Sequence, residues 1–169
     1  MKKQWIVVTI LMVAVLLLSG CAKQAPANRL EAIQQAGKIV VGTSADYEPW
    51  EFKNEKDEFV GIDMEIMREI GKRMGVEVEF QDLGFDTLVA AVQTGNIDAA
   101  IAAMASTTER REQVDFSMAY YTGPNVMLVR ADSDISFTDP LEAANYKIGT
   151  QSGTIMYYWV ENKIGRAHV

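Results

Sequence analysis

The chain has 169 residues, with 16 lysines and arginines against 23 acidic residues and a formal net charge of −7. This balance argues against a broad basic surface for nucleic acid. Cys21 is the only cysteine, so neither an internal disulfide nor a cysteine metal cluster can form. We expect neither a metal nor a cofactor. Because 49% of the residues are apolar, the chain can still bury one sizeable core.

The first twenty residues are predicted to be a lipoprotein signal peptide. Lys2 and Lys3 precede the apolar run Trp5–Leu18, which is shorter than the roughly 20 residues of a membrane span. The run ends in Leu18–Cys21, Leu-Ser-Gly-Cys, which resembles the bacterial lipobox and implies cleavage before Cys21 and lipidation of its sulfur. The alternative is an uncleaved membrane anchor with an incidental cysteine. Removing the signal leaves 14 basic and 23 acidic residues, a net charge of −9.

Residues 21–36 are interpreted as a tether between the lipid and the folded part. Ala22–Asn28 is small and polar with one proline, which is typical of a flexible linker. Arg29–Ala36 can form a short helix, with Gly37 placed to end it.

Strands and helices alternate through the next part of the chain. We predict strands at Lys38–Thr43, Val76–Gln81 and Asn96–Ala103, helices at Gly61–Met74 and Phe85–Thr94, and a hairpin tip at Lys53–Glu58. The first of these helices has one apolar face, formed by Ile62, Ile66, Met67, Ile70 and Met74. Short connections between such elements favour right-handed crossovers, so we expect an α/β fold with a doubly wound parallel sheet.

Three segments directly follow the ends of these strands: Ser44–Trp50, Leu83–Phe85 and Ala103–Arg110. In a doubly wound sheet, ligands bind beyond the carboxyl ends of the strands, so the three segments share one candidate rim. The first segment carries aromatic and acidic residues and a proline, which suits a binding loop on a rigid scaffold. The alternative is a surface loop whose aromatic side chains cover the core.

The third segment contains a predicted helix start. Ser106-Thr107-Thr108-Glu109 has the S-x-x-E spacing of a capping box, with Arg110 in the first turn. Unpaired N–H groups at a helix start bind anions, and a guanidinium adds a bidentate clamp for a carboxylate. The alternative is an ordinary capped helix with a solvated arginine.

A second strand–turn–helix unit is predicted near the end of the chain. It comprises strands at Asn125–Val129 and Lys147–Thr150, the turn Gln151–Thr154 and a helix from Ile155. This junction is another possible anion site, although it lacks the phosphate-binding pattern G-x-x-x-x-G-K-[ST].

The second sheet has no room to finish, so we expect the native protein to be longer. Residues 164–169, Ile-Gly-Arg-Ala-His-Val, resemble the read-through translation of a sequencing-library adapter. We assign no chemistry to His168, the only histidine, because it lies in this tail.

Taken together, these segments closely resemble family 3 of the extracellular solute-binding proteins of polar amino-acid transporters. Gly61–Ile66, with Ile70, Gly71 and Met74, matches that family's signature. Thr107–Arg110 with Val114–Ser117 resembles its T-P-E-R…V-D-F-S segment, with Thr108 where proline is usual. Pro49–Phe52 is similar to its P-P-F-E-F loop, and Gly149–Thr154 is similar to its G-V-Q-x-G-T turn.

The resemblance implies a periplasmic-binding-protein-like fold of two α/β lobes that close on one small ligand. Only the first lobe and the start of the second are expected here. The implied boundaries are lobe 1 at 37–119, a hinge at 120–124, the start of lobe 2 at 125–163 and a non-native tail at 164–169.

The resemblance also implies a role in binding an amino acid for each of a set of residues. Arg110 would clamp the ligand carboxylate, joined by the Thr154 hydroxyl and the Ile155 backbone N–H. Tyr47 and Phe85 would sandwich the ligand side chain, the Ala103 carbonyl would accept from the ammonium, and Gln151 would point toward the side-chain end. Ala105 stands where the family usually has a Thr or Ser hydroxyl, and Asp46 lies two residues after Ser44, where some members carry an acid.

The implied function is that of a lipid-anchored receptor. It would capture a small amino acid outside the membrane, act as a monomer and deliver its ligand to an ABC permease and ATPase. One alternative is an enzyme on the same scaffold, similar to cyclohexadienyl or arogenate dehydratases, with Asp46 and Glu48 as candidate acids. Another is the ligand-binding domain of a sensor, against which the lipobox argues. Nucleophilic catalysis has no support, because Ser-His-Asp and G-x-S-x-G patterns are missing.

Overall fold

The computed structural model describes residues 26–165. The predicted signal peptide, the lipidation site Cys21 and most of the predicted tail, including His168, lie outside the described residues. Between residues 26 and 165, no helix is long and apolar enough to cross a membrane.

The described chain begins with alternating helices and strands. The α-helices are α1 Arg29–Ala36, α2 Ile62–Met74, α3 Leu88–Gln93, α4 Thr108–Arg111 and α5 Ile155–Lys163. The strands are β1 Lys38–Thr43, β2 Asp46–Tyr47, β3 Glu51–Lys53, β4 Phe59–Val60, β5 Glu77–Asp82 and β6 Ala99–Ala100. Short 3-10 helices lie at Phe85–Thr87 and Pro140–Asn145.

The main sheet has three parallel strands in the order β5-β1-β6. Strand β1 pairs along its whole length with β5, and Val41 and Gly42 pair with Ala99 and Ala100 of β6. Helix α2 lies in the connection that runs from β1, through β2, β3 and β4, to β5. Helix α3 lies in the connection from β5 to β6. This arrangement confirms the predicted α/β class with a parallel sheet.

The third predicted strand, Asn96–Ala103, is shorter in the structure. The backbone N–H groups of Asn96 and Ile97 donate to Ala91 O and so complete the end of α3 instead of joining the sheet. At the other end, Ala103 has a φ of +43°, which turns the chain away from β1. The paired part is therefore β6.

A second, antiparallel sheet of β2, β3 and β4 lies between β1 and α2 in the chain. Its pairs include Tyr47 with Glu51 and Phe52 with Val60, which confirms the predicted hairpin. The hairpin leads into Gly61, whose φ of +124° only glycine adopts easily. A Cβ on Gly61 would lie 2.2 Å from Trp50 O, so the turn also needs the missing side chain.

The core lies on both faces of the parallel sheet. One cluster comprises Ile33, Ile39, Val41 and Met67, and the other comprises Leu88, Ile97 and Ala102. Helices α1 and α2 contribute to the first cluster and α3 to the second, as a doubly wound arrangement requires. Ile33 packs α1 against this core, although α1 falls within the predicted tether 21–36. The domain boundaries themselves stay predictions.

The predicted apolar face of α2 is partly wrong. The buried residues are Asp63, Met64, Met67 and Gly71, whereas Ile62 and Ile70 are exposed. A Cβ on Gly71 would lie 2.3 Å from Val78 Cγ2, so this glycine lets α2 approach β5 closely. The close approach at Gly71 and the buried carboxylate of Asp63 set the rotation of the helix, and hydrophobicity alone does not reveal either.

The region after α4 differs from the prediction. No strand forms at Asn125–Val129 within the described chain, and Val126 and Leu128 are 83% and 98% exposed. At Lys147–Thr150 the structure has only an isolated bridge residue, Gly149. A strand needs a hydrogen-bonding neighbour along its length, and residues 26–165 supply these two segments with only the single bridge at Gly149. The predicted helix from Ile155 is confirmed as α5.

Candidate functional site

The carboxyl ends of β1, β5 and β6 lead into the three predicted rim segments. Strand β1 ends at Thr43, directly before Ser44 and β2. Strand β5 ends at Asp82, three residues before the 3-10 turn at Phe85. The chain after β6 reaches Arg110 in α4. Since the strands are parallel, these ends lie at the same side of the sheet, as predicted.

Helix α4 starts one residue later than the capping-box spacing predicts. Its N-cap is Thr107, whose Oγ1 accepts a hydrogen bond from the Arg110 backbone N–H at 3.3 Å. Ser106 therefore lies outside the helix. The cap places Arg110 in a helix of four residues, directly beside the rim.

The guanidinium of Arg110 is the most constrained charge of the site. Its Nη1 donates to Ala105 O, and its Nη2 donates to Gly153 O at 2.8 Å. Its Cζ lies 5.5 Å from the ring centroid of Phe85, so the cation stacks on that ring. Burial lowers the pKa of Arg110, but a guanidinium stays charged at neutral pH. Two of its five N–H donors bind carbonyls, and the others are available for a carboxylate.

The turn before α5 lies against the rim. Gln151 Nε2 donates to Asp46 Oδ2 at 3.3 Å, and Asp46 Oδ1 accepts from Ser44 Oγ at 3.2 Å. Gly153 approaches the rim so closely that a Cβ there would lie 2.8 Å from Asp86 Cβ. Thus two independent contacts join residues 151–153 to the segments after β1 and β5.

The predicted ligand groups at the start of α5 have different hydrogen-bonding states. Thr154 is buried and caps the helix: its Oγ1 accepts from Tyr157 N at 3.1 Å and donates to Gln151 O at 2.8 Å. The Ile155 N–H is the first of the helix and has no acceptor within it. The N–H is therefore better placed than the hydroxyl to gain a new acceptor.

Ala103 and Ala105, two residues of the predicted binding site, lie in the segment after β6. Ala103 donates its N–H to Asp63 Oδ2 at 2.7 Å, and Ala105 offers its carbonyl to Arg110. Tyr47 is half-exposed on β2. Among the described residues, no aromatic contact joins Tyr47 to Phe85, so their predicted sandwich stays a prediction.

The sequence analysis gave no individual role to a group of residues that lie beside the rim: Trp50, Glu51, Asp63, Tyr120 and Gly153. Tyr120 OH donates to Asp63 Oδ2 at 3.0 Å. The ring centroid of Trp50 lies 6.4 Å from that of Tyr120 and 4.6 Å from that of Tyr121. The signal available in the sequence was the spacing of Asp63, which lies three and four residues before Ile66 and Met67 of the predicted apolar face of α2. A carboxylate in that position needs partners, which the sequence alone does not name.

A parallel-sheet lobe with a charged and aromatic rim, and a turn from the following chain packed against that rim, is suited to binding a small ligand. The family model of bacterial extracellular solute-binding proteins, family 3, matches residues 39–163. The chain belongs to this family.

Among curated proteins, the arginine-binding extracellular protein ArtP of Bacillus subtilis is 39% identical over 118 residues, covering 70% of this chain and 45% of ArtP. The chain thus spans about half the length of this relative. A truncated, arginine-bound form of ArgBP from T. maritima matches with a TM-score of 0.76 and 34% identity, covering 82% of this chain and 66% of that one. The ancestral amino acid-binding protein AncCDT-1, described as a precursor of cyclohexadienyl dehydratase, matches with a TM-score of 0.77 and 32% identity, covering 83% and 63%.

Proposed function

We propose that the chain is the ligand-binding part of an extracytoplasmic receptor that captures a small amino acid for an ABC permease and its ATPase. The observation that carries this proposal is the placement of Arg110. A half-buried, charged guanidinium is fixed by Phe85 and Ala105 on one side and by Gly153 on the other. Such a group, with donors to spare, suits the carboxylate that all amino acids share.

In this proposal the carboxylate binds between the free N–H donors of Arg110 and the first N–H of α5, at Ile155. A helix start attracts an anion, and a charge-assisted hydrogen bond is strengthened when closure removes water. Thr154 supports the site by capping α5 and contributes its hydroxyl if the cap rearranges. The Ala103 carbonyl accepts from the ammonium group.

The ligand side chain is proposed to lie near Asp46, Gln151 and Tyr47. Asp46 and Gln151 hydrogen-bond to each other across the site, so a ligand that enters there can replace that contact with its own donors. Relatives are named for binding arginine, histidine and glutamine. We therefore propose a polar or cationic amino acid, to be identified by titrating these three ligands and lysine.

The receptor is proposed to be monomeric and held at the membrane by a lipid on Cys21, on the periplasmic side or the outer face. The lobe 1, hinge and lobe 2 boundaries at 37–119, 120–124 and 125–163 are part of the same proposal. Labelling cells with radioactive palmitate tests the anchor. The Cys21→Ser variant should lose the label, whereas an unchanged label would refute lipidation at this residue.

The binding site is tested by Arg110→Ala, with Arg111→Ala as the matched control. Arg111 lies next in the chain and packs on Phe116 instead of Phe85. We expect Arg110→Ala to lose roughly 2–5 kcal/mol of binding free energy in calorimetric titrations, because it removes one partner of a buried charge pair. Arg111→Ala should bind almost as tightly as the parent. Near-normal affinity in Arg110→Ala would contradict the proposed clamp.

A dehydratase is the second candidate, because the chain is similar to a protein described as the precursor of one. Its candidate acids are Asp46 and Glu48. Incubation with prephenate and with arogenate, followed by chromatography of the products, tests this activity. Turnover that is lost in Asp46→Asn or Glu48→Gln would favour the enzyme, and intact substrate alongside amino-acid binding would favour the receptor.

A further inference from the structure

A buried pair of acids lies beside the rim and takes no part in the proposed ligand contacts. Glu51 of β3 is 1% exposed and Asp63 of α2 is fully buried. The two carboxyl groups are within hydrogen-bonding reach of each other. Glu51 Oε2 and Asp63 Oδ1 have no other hydrogen-bond partner. Two neighbouring buried carboxyl groups that lack donors are stabilised when one of them holds a proton.

The proton of this pair resides on Glu51. Burial, together with the nearby charge of Asp63, raises the pKa of Glu51 to about 9. A protonated Glu51 has a donor that the neighbouring Asp63 carboxyl group can accept. The second oxygen of Asp63 faces other donors.

The second oxygen, Asp63 Oδ2, holds two separate parts of the site. It accepts from the Ala103 backbone N–H at 2.7 Å and from Tyr120 OH at 3.0 Å. Ala103 has a positive φ of 43°, which is uncommon for a residue with a side chain and costs free energy unless its surroundings fix it. A charge-assisted hydrogen bond to the same residue offsets that cost.

The two groups that Asp63 holds lie on opposite sides of the predicted lobe boundary. Ala103 belongs to the rim, two residues before the carbonyl that Arg110 contacts. Tyr120 starts the predicted hinge at 120–124. Its ring lies near that of Trp50, the residue directly before β3. One carboxylate thus joins the rim turn to the segment that leaves the lobe.

We propose that Asp63, supported by Glu51, is a positioning residue for ligand binding: it fixes the Ala103 turn so that its carbonyl faces the ligand ammonium, and it couples this turn to Tyr120 at the hinge. The ligand part of this inference rests on the proposed function. The coupling of Asp63 to Ala103 and Tyr120 does not, and it is measurable without a ligand.

Asp98 provides a matched control for a purely structural role. Its Oδ2 accepts from the Val40 N–H at 2.8 Å, its side chain is nearly buried, and it pairs with Arg29 at 2.6 Å. It lies before β6, at the opposite end of the sheet from the rim. Asp63→Asn and Asp98→Asn therefore each weaken one buried acceptor of a backbone N–H, but only the first acceptor touches the rim.

The first experiment is amide hydrogen exchange, followed by NMR, on the ligand-free chain and its variants. Asp63→Asn should speed exchange at Ala103 roughly ten- to hundredfold, as expected for weakening a hydrogen bond to a charged group. Exchange at Val40 should change no more than the global stability does. Asp98→Asn should give the reverse pattern. Unchanged exchange at Ala103 in Asp63→Asn would overturn the proposal.

The second experiment compares L-arginine with δ-guanidinovaleric acid, which has the same side chain and carboxylate but no ammonium. Asp63→Asn should weaken L-arginine binding about tenfold or more and change binding of the deaminated acid by less than about twofold. Asp98→Asn should leave the ratio of the two affinities unchanged. Equal losses for both ligands in Asp63→Asn would overturn the positioning role.

Tyr120→Phe keeps the proposal testable if Asp63→Asn does not fold. This variant removes only the phenol hydroxyl, and it should speed Ala103 exchange and lower the affinity ratio in the same direction, by a smaller factor. No change in either measurement would overturn the coupling to the hinge. If the parent binds neither probe, arginine is not its ligand, and the exchange experiment alone decides the coupling.

Discussion

Residues 29–111 and residues 117–150 have similar apolar content in their extended segments, yet only the first region forms a sheet. In the first, Val41 of β1 is fully buried between β5 and β6. In the second, Leu128 lies in an equally apolar run and is 98% exposed. The difference is the presence of partner strands, because extended backbone needs neighbours for its N–H and C=O groups. Strand propensity alone therefore does not make a strand.

The largest effect that separates the two regions is expected from truncating leucines. Leu88→Ala removes a fully buried side chain of the second core cluster and should lower the free energy of unfolding by roughly 2–5 kcal/mol. Leu128→Ala, the control, should change it by less than about 0.5 kcal/mol. Urea unfolding followed by circular dichroism measures both. Similar losses in the two variants would show that residues 117–150 bury Leu128 in solution.

Two glycines of the first region, Gly61 and Gly75, differ in what an added side chain would contact. Gly61→Ala adds a Cβ 2.2 Å from Trp50 O at a φ of +124°, whereas Gly75→Ala adds one at a φ of +71° with nothing within 4 Å. Both variants carry backbone strain, but only the first also has a steric clash. We expect Gly61→Ala to lose about 1–3 kcal/mol more than Gly75→Ala. Equal unfolding midpoints would show that the loop at Trp50 yields to the new methyl group.

These glycines also show why some elements were predictable from the sequence and others were not. Gly61 and Gly75 mark the ends of α2, and both ends were predicted closely because the signals are local. The face that α2 buries was predicted only in part. Met67 was placed correctly, but the burial of Asp63 was not predicted, because its partners Ala103 and Tyr120 are distant in the sequence. Hydrophobic periodicity carries no record of such contacts.

The candidate site likewise has some features that the sequence predicted and others that it did not. The strand ends and the position of Arg110 followed from local patterns and from resemblance to a family. The contact of Arg110 with Gly153 and the hydrogen bond between Asp46 and Gln151 join residues 43 and 105 positions apart. Those contacts depend on how two parts of the chain meet, which no spacing encodes.

A pH profile distinguishes the acids of the two regions. Glu51 has a folded-state pKa of about 9 against an ordinary value of 4.5, so the folded protein keeps a proton that the unfolded chain releases. The stability that this proton contributes is complete below about 4.5 and is lost as the pH rises toward about 9. We expect the free energy of unfolding to fall by up to about 1.4 kcal/mol per pH unit in this window.

Glu51→Gln should flatten that slope, because an amide does not titrate. The control is Asp132→Asn in the second region, where Arg130 lowers the pKa of an exposed carboxylate. This control should leave the slope between roughly pH 5 and pH 9 unchanged, because an exposed ion pair contributes little. Chemical unfolding at several pH values measures both profiles. A slope that survives in Glu51→Gln would assign the linked proton to another group.

The smallest effect tests where the first region begins. Asn28 caps α1 by accepting from the Glu31 N–H at 2.9 Å, and Arg29 ties the helix to Asp98. If α1 is part of the lobe, Asn28→Ala should cost about 1 kcal/mol of unfolding free energy, while Asn28→Ser keeps a capping oxygen and costs less. If residues 21–36 act as a tether throughout, neither substitution changes the unfolding midpoint, because a tether does not unfold with the core. Since Ile33 packs into the first core cluster, we expect the loss in Asn28→Ala, and this result would move the proposed start of lobe 1 from residue 37 to α1.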